Sequence, residues 1–383
     1  MRLLNLLRRY KKAVFKPQDS LLEIRINGRQ LNENIDRFRE LFPRYQLAAV
    51  LKSNAYGHGL GEIGKFLDKK KEINYLAVDS LIEAITLRDN GIRKPIMILG
   101  YVSKKNITQL KDVKNSVLLV NSLDQAQFLS KTVDFPLTVH LKVDTGMNRQ
   151  GVVMEDLYDA IDSLLKNKKI VVSGLASHLA DADSYQGEKT SEQIRTWKTA
   201  VAVFKKFELK GSFHFSATAG VKFLNSAESN LIRAGIGIYG FDTTQDKCLK
   251  VKPVLSFWAK LVNIKKVKAG DAVGYNFTWT AKKDTWLGVL PCGYYEGIPG
   301  ALSNQGYVYW KETPLKIVGR VSMNLTTVDI TPVKDEIKIE DRLEVFSDDA
   351  EKLNSVSNVA KACGTIPYEI LVRLAPTIRR VVD

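Results

Sequence analysis

The residues best suited to chemistry in this chain are polar side chains that interrupt apolar runs. Lys52 closes the run Gln46-Leu47-Ala48-Ala49-Val50-Leu51, and the glycine-flanked turn Ser53-Asn54-Ala55-Tyr56-Gly57-His58-Gly59 follows it. A lysine at the end of a buried strand has two outlets. It reaches solvent along its stem, or it relieves the cost of a buried charge through a lowered pKa or a covalent bond, which makes it a nucleophile. A second stretch, Leu231-Ile232-Arg233-Ala234-Gly235-Ile236-Gly237, sets an arginine just before glycines whose N–H groups can approach a phosphate closely. Alone, such a glycine-rich turn is a weak signal. A third, His140-Leu141-Lys142-Val143-Asp144-Thr145-Gly146-Met147-Asn148-Arg149, collects charges that also read as a plain Lys142–Asp144 cluster. Tyr275, in Val273-Gly274-Tyr275-Asn276-Phe277-Thr278-Trp279, reads on its own as a packing residue.

These residues gain weight from the elements that must position them. Between Leu21 and about Tyr239, short apolar runs alternate with amphipathic stretches. The spacing predicts strands at 46–52, 75–79, 95–100, 117–121, 137–144, 170–177, 212–216 and 231–235. Helices are predicted between them, for example at 60–70, 80–90, 157–166 and 190–207. Eight β-then-α units over roughly 220 residues match a TIM (β/α)8 barrel. A doubly wound open sheet is the alternative, but no G-x-G-x-x-G follows the first strand. A barrel places functional residues at the C-terminal ends of its strands. Lys52, Lys142, Asp144, His178, Thr218 and Arg233 all have that phase.

From about Gly240 the texture changes to short runs with turn residues between them: 255–267, 286–291, 306–310, 315–321, 327–330 and 342–346. No long helical period returns until about Ser355–Cys363, so a mainly antiparallel β domain is expected. The predicted division is a basic extension over 1–20, a barrel over 21–240 and a mainly β domain over 241–383. A length of 383 residues exceeds one ordinary core and agrees with more than one domain.

Bulk properties exclude several function classes. The chain is 45% hydrophobic and 26% charged, a soluble globular composition, and its apolar runs fall far short of the ~20 residues of a membrane span. Cys248, Cys292 and Cys363 are odd in number and widely spaced, so neither a disulfide framework nor a zinc site is indicated, and the cytoplasm is the expected compartment. His58, His140, His178 and His214 make no metal-ligand spacing; His140 and His214 read as strand residues with satisfied hydrogen bonds. The net charge of +15 invites a nucleic-acid reading. Six of the positive charges, however, fall at Arg2, Arg8, Arg9, Lys11, Lys12 and Lys16, and no nucleic-acid motif is present, so no nucleic-acid partner is expected. Residues 1–20 mix leucines with those charges. They read as a frayed basic extension, with a short membrane-touching helix as the alternative.

Taken together, at least six segments in order, from about Leu21 to the end of the chain, resemble the alanine racemase family. In that family the lysine of the Gln46–Gly59 stretch carries pyridoxal 5'-phosphate as a Schiff base. The resemblance implies that Arg233 faces the pyridine nitrogen, that Gly235 and Ile236 offer backbone donors to the phosphate, and that Tyr56, Thr218 and Tyr368 add hydroxyls. It implies that His178 packs on the cofactor ring and bonds to Arg233. An arginine does not give up its proton near neutrality, so the nitrogen opposite it stays unprotonated and the ring is a weaker electron sink, which suits proton exchange over transamination.

Racemisation removes and returns a proton on opposite faces, which favours two bases over one that must cross the plane. Lys52 is one. The resemblance makes Tyr275 the other, reaching from the partner subunit of a head-to-tail homodimer. It also implies that Arg149 and the Met323 N–H meet the substrate carboxylate and that Tyr294 lines the entrance, which favours a methyl side chain. Lys142 corresponds to a lysine that many relatives carbamylate to hold that arginine. The expected function is interconversion of L- and D-alanine for peptidoglycan. A broader-specificity or serine racemase is the alternative within the family, and a non-catalytic PLP-binding protein the alternative from another class. Two departures stand out: Ala217 replaces a common asparagine before Thr218, and Asn324 stands where aspartate follows the methionine.

Overall fold

The computed structural model describes residues 20–182 and 187–383, so the basic extension, apart from Ser20, lies outside the described residues. After β1 (Leu22–Ile26) and α1 (Gly28–Leu41), eight strands form one parallel sheet: β2 (Gln46–Val50), β3 (Tyr75–Val78), β4 (Ile96–Ile98), β5 (Ser116–Val120), β6 (Leu137–Lys142), β7 (Ile170–Ala176), β8 (Ser212–His214) and β9 (Leu231–Ala234). Their order is β8-β7-β6-β5-β4-β3-β2-β9. The two ends of this sheet meet through a parallel bridge between Ala217 and Arg233 and an Arg233 N–H to Ser216 O bond of 3.1 Å. The barrel therefore closes on a bridge and not on a full ladder. Strands such as Ile96–Ile98 are buried along their whole length, as a parallel sheet covered on both faces requires.

The covering helices are α2 (Leu60–Asp68), α3 (Leu81–Asp89), α4 (Leu123–Thr132), α5 (Leu157–Leu165) and α6 (Glu188–Lys206). Local chemistry sets their starts: Ser80 and Glu83 form a reciprocal capping box on α3, and Ser122 caps α4.

The second unit contains a six-stranded sheet with β10 (Leu255–Lys260) at its centre, and a three-stranded antiparallel sheet of β11 (Asn263–Val267), Thr285–Leu290 and Thr326–Asp329. The six-stranded sheet recruits β1, which pairs antiparallel with β10 and parallel with the last strand, Arg379–Val382. The sequence reading did not assign β1. Its alternation Leu22-Glu23-Ile24-Arg25-Ile26 is a strand period, but nothing local tells that its two neighbours, β10 and the last strand, lie more than 200 residues further along and outside the barrel. The predicted strand at 315–321 is shorter than expected: it spans Thr313–Lys316, and Gly319 at φ +74° turns the chain away. The helices α7 (Val356–Ala362) and α8 (Pro367–Val372) follow.

The turn after β2 is the strained part of the frame. Ser53, Asn54, Ala55 and Tyr56 all have positive φ, between 52° and 56°. Each costs on the order of 1–2 kcal/mol in the left-handed region. The surroundings over-determine it: Glu83 Oε1 accepts the Ser53 N–H at 2.7 Å, Asn54 Oδ1 accepts the Leu60 N–H at 2.8 Å, and Arg380 Nε donates to Gly57 O at 2.8 Å. Gly57 sits at φ +83° with its back to α8, where a Cβ would lie 2.0 Å from Leu371 O. Replacing Gly57 by alanine is expected to destabilise the protein by about 1–3 kcal/mol. Thermal unfolding should show it as a midpoint lowered by several degrees. An unchanged midpoint would mean that α8 is not clamped to this turn.

Candidate active site at the barrel mouth

A cavity of about 590 Å³ opens at the C-terminal ends of the barrel strands. Lys52 enters it just after β2, Lys142 from the end of β6, His178 after β7, Thr218 after β8 and Arg233 from β9. These are the polar strand-end residues that the barrel phase singles out. Arg149, Gly235 and Ile236 also line the cavity, and Tyr56 and Tyr368 close one side, with ring centroids 5.9 Å apart. Tyr368 comes from α8, so the second unit supplies one wall of the barrel's own cavity.

The glycine turn after β9 is tightly built. Thr218 Oγ1 accepts the N–H groups of Gly235 and Gly237, both at 3.2 Å. A Cβ on Gly235 would lie 2.6 Å from Tyr56 Oη. The hydroxyls of Tyr56 and Thr218 thus converge on the glycine turn; with the Gly235 and Gly237 N–H groups bonded to Thr218, the two hydroxyl protons are donors that this side can offer an anion. Burial pushes the Tyr56 phenol well above its usual range, so it remains a donor at neutral pH.

Arg233 is buried on strand β9, beside β2, with Ala48 as its register partner. Nη1 donates to His214 Nδ1 at 2.7 Å and to His214 O; Nη2 donates to Ser177 O at 2.6 Å and to His178 Nδ1 at 3.2 Å. Its hydrogen bonds among the described residues all leave from Nη1 and Nη2, so Nε–H is uncommitted in the cavity wall. Burial pulls its pKa down to about 10, which still leaves it protonated at neutral pH. His178 is drawn down to about 3 by burial and then by Arg233, and is therefore a neutral acceptor.

Across the mouth, the loop carrying Arg149 is ordered by Asp144, whose Oδ1 accepts the N–H groups of Gly146, Met147 and Asn148 at 3.0, 3.0 and 3.1 Å. Lys142 Nζ lies 3.4 Å from Gln150 Oε1. Burial, followed by Arg149 and Arg233, lowers its pKa to about 8.

Three predicted site residues are not in this cavity. Tyr275, Tyr294 and Met323 are on the surface of the second unit, with Tyr275 70% exposed. The loops bearing Tyr294 and Met323 are joined by Tyr294 N–H to Ser322 O at 3.0 Å and Tyr295 N–H to Met323 O at 2.9 Å. Asn324 has a partner that the sequence reading missed: its Nδ2 donates to Glu296 Oε1 at 2.8 Å, where an aspartate would face a second carboxylate. His140 and His214 are also more than strand filling, since they form a buried pair behind Arg233. Their signal was a histidine inside the apolar strand β6 and another closing the short strand β8.

Residues 26–243 match the family "Alanine racemase, N-terminal domain", and residues 254–382 match "Alanine racemase, C-terminal domain". An alanine racemase of Actinobacillus succinogenes is 31% identical over 92% of this chain and 97% of its own length. One from Syntrophobacter fumaroxidans is 32% identical over 91% of this chain and 93% of its own. The solved alanine racemase of Clostridium difficile 630 superposes with a TM-score of 0.87 at 30% identity, covering 96% of this chain and 97% of that one.

Proposed function

The chain belongs to the alanine racemase family, a PLP-dependent isomerase that interconverts L- and D-alanine, and from this premise we propose that its active sites are completed across a homodimer, with Lys52 of one subunit and Tyr275 of the other as the two bases. The observation that carries this reading is the asymmetry of the described site. The cavity holds Lys52 and Arg233 on adjacent strands, while the second base candidate stands exposed on the other unit. Phe277, Tyr294 and Met323 are large apolar side chains of the same unit that are also exposed. The division near residue 240, with β1 crossing over, is proposed as the boundary between the cofactor-holding unit and the unit that reaches the partner.

The residues present fit the cofactor. Tyr56, Thr218, Gly235, Ile236 and Tyr368 are assigned to its phosphate, Arg233 through the uncommitted Nε–H to its ring nitrogen, and His178 to its ring face. Pyridoxal 5'-phosphate, when bound, supplies the electron-withdrawing ring that makes the substrate Cα–H acidic. The protein supplies the rest. Arg233 donates without giving up its proton, so the ring nitrogen gains no proton and the sink stays weak. Arg149 and the Met323 N–H hold the substrate carboxylate, Tyr294 narrows the entrance, and Lys52 moves the proton on one face.

Lys142 is proposed to carry a carbamate. Its nitrogen lone pair attacks the carbon of CO2, a C–N bond forms as one C=O bond opens to a carboxylate oxygen, and the nitrogen loses a proton to water. Only the neutral amine reacts. With a pKa of about 8 roughly half the amine is neutral at pH 8, against well under one in a hundred at the ordinary lysine value. The product places a negative charge beside Arg149. With [13C]bicarbonate, a carbamate resonance is expected to grow as pH rises through about 8 and to be absent from Lys142→Ala. No resonance in the unaltered protein would remove this assignment.

A peptidoglycan-supplying role in the cytoplasm is part of the same proposal, supported by three cysteines that are free thiols among the described residues. No described helix is long and apolar enough to cross a membrane. Substrate range is tested by NMR in deuterated water across a panel of amino acids. Exchange of the α-proton confined to alanine supports the reading; exchange of serine and others at similar rates would replace it with a broad-specificity racemase.

A further inference from the structure

Behind Arg233, away from the cavity, three buried side chains form a line. Arg233 Nη1 lies 2.7 Å from His214 Nδ1, and His214 Nε2 lies 2.8 Å from His140 Nδ1. His140 and His214 are 1% and 0% exposed. The line crosses β7, where Gly174 makes room for it: a Cβ there would stand 2.9 Å from His140 Nε2.

The direction of every hydrogen bond in the line follows from its first member. A guanidinium has only donors, so His214 Nδ1 must present a lone pair. The proton of neutral His214 is then on Nε2, and it points at His140 Nδ1, which must also be a lone pair. His140 consequently carries its proton on Nε2. Neither ring can hold a second proton without turning two N–H groups against each other inside the barrel. Burial, and then Arg233, drive both imidazoles well below their ordinary pKa, in agreement with this arrangement.

We propose that His140 is a positioning residue for the racemase reaction: by accepting from His214 it fixes the tautomer of His214, and so the orientation of the Arg233 guanidinium and of its uncommitted Nε–H. The functional half of this inference rests on the assignment of Arg233 to the cofactor nitrogen; the tautomer half does not. Without His140, the His214 Nε2–H has no acceptor in an apolar interior, a penalty that the ring escapes by moving its proton to Nδ1. That proton would then oppose the Arg233 N–H and the guanidinium would lose a support.

The test is nitrogen NMR on full-length holoenzyme labelled with [15N]histidine at neutral pH, where four histidines give resolvable ring patterns. His214 and His140 are each expected as neutral rings protonated on Nε2 alone. In His140→Leu the His214 pattern should change, and kcat should fall about tenfold in both directions with the KM for alanine changed less than twofold. His140→Gln, which restores an acceptor oxygen, should recover most of the loss. A wild-type His214 protonated on Nδ1, or on both nitrogens, overturns the proposal without recourse to any variant. A His140→Leu protein with His214 and kcat unaltered overturns it equally. A holoenzyme with the expected tautomers but no racemisation would instead strike the functional reading above.

Discussion

Lys52→Ala is expected to lose racemase activity by at least ~10³-fold and to lose the visible absorbance of the holoprotein. Positioned general bases contribute about 10²–10⁴ to rate, and Lys52 is assigned a second task as the covalent anchor of the cofactor. The loss should be chemical and not structural. Lys52 is only partly buried, and the left-handed turn that follows it is held by Glu83, Asn54 and Arg380, none of which needs the Lys52 side chain. Far-ultraviolet circular dichroism is therefore expected to remain unchanged. Absorption spectra of wild type and variant, recorded after equal exposure to pyridoxal 5'-phosphate, decide the matter. A variant that keeps the wild-type visible band would remove Lys52 from the anchor role, whatever its activity.

Much of this site was legible because a barrel imposes a phase. Once alternating runs are read as eight parallel strands, a polar residue at the C-terminal end of a strand needs an explanation, and Lys52, Lys142, His178 and Arg233 stood out on that ground. The cavity does collect them. What remained hidden depends on contacts between distant parts of the chain. Tyr368 is named through the family resemblance alone; the packing that brings its helix to the barrel, with Leu371 O against Gly57, has no local pattern. His140 looked like an inert strand residue, since its meaning depends on His214 lying beyond a glycine on the intervening strand. The strand β1 escaped because it is recruited by a sheet whose other members follow more than 200 residues later. Asn324 shows only as a departure from the family's aspartate, and the structure pairs it with Glu296, so its polarity is used within its own chain.

The second large effect is expected from Tyr275→Phe. Removing one oxygen leaves the ring's packing intact but takes away the proton carrier on one face of the substrate, so racemisation should fall by about 10²–10⁴. The defect should be directional. Started from the enantiomer whose α-proton Lys52 removes, exchange with deuterated water should persist with retention of configuration; started from the other, it should nearly cease. Proton NMR with chiral chromatography of the products reads both rates, and equal residual exchange from the two enantiomers would contradict a two-base division of labour. The exposure of Tyr275, outside the cavity that holds Lys52, adds a sharper consequence. If each site draws Lys52 from one chain and Tyr275 from the other, a mixed dimer of Lys52→Ala and Tyr275→Phe chains has one site with both defects and one with neither. Random assortment of equal amounts makes half the dimers mixed, so about a quarter of wild-type activity should return from two nearly inactive proteins after their subunits are exchanged. If both bases came from the same chain, every site in the mixture would carry one defect and no activity would return.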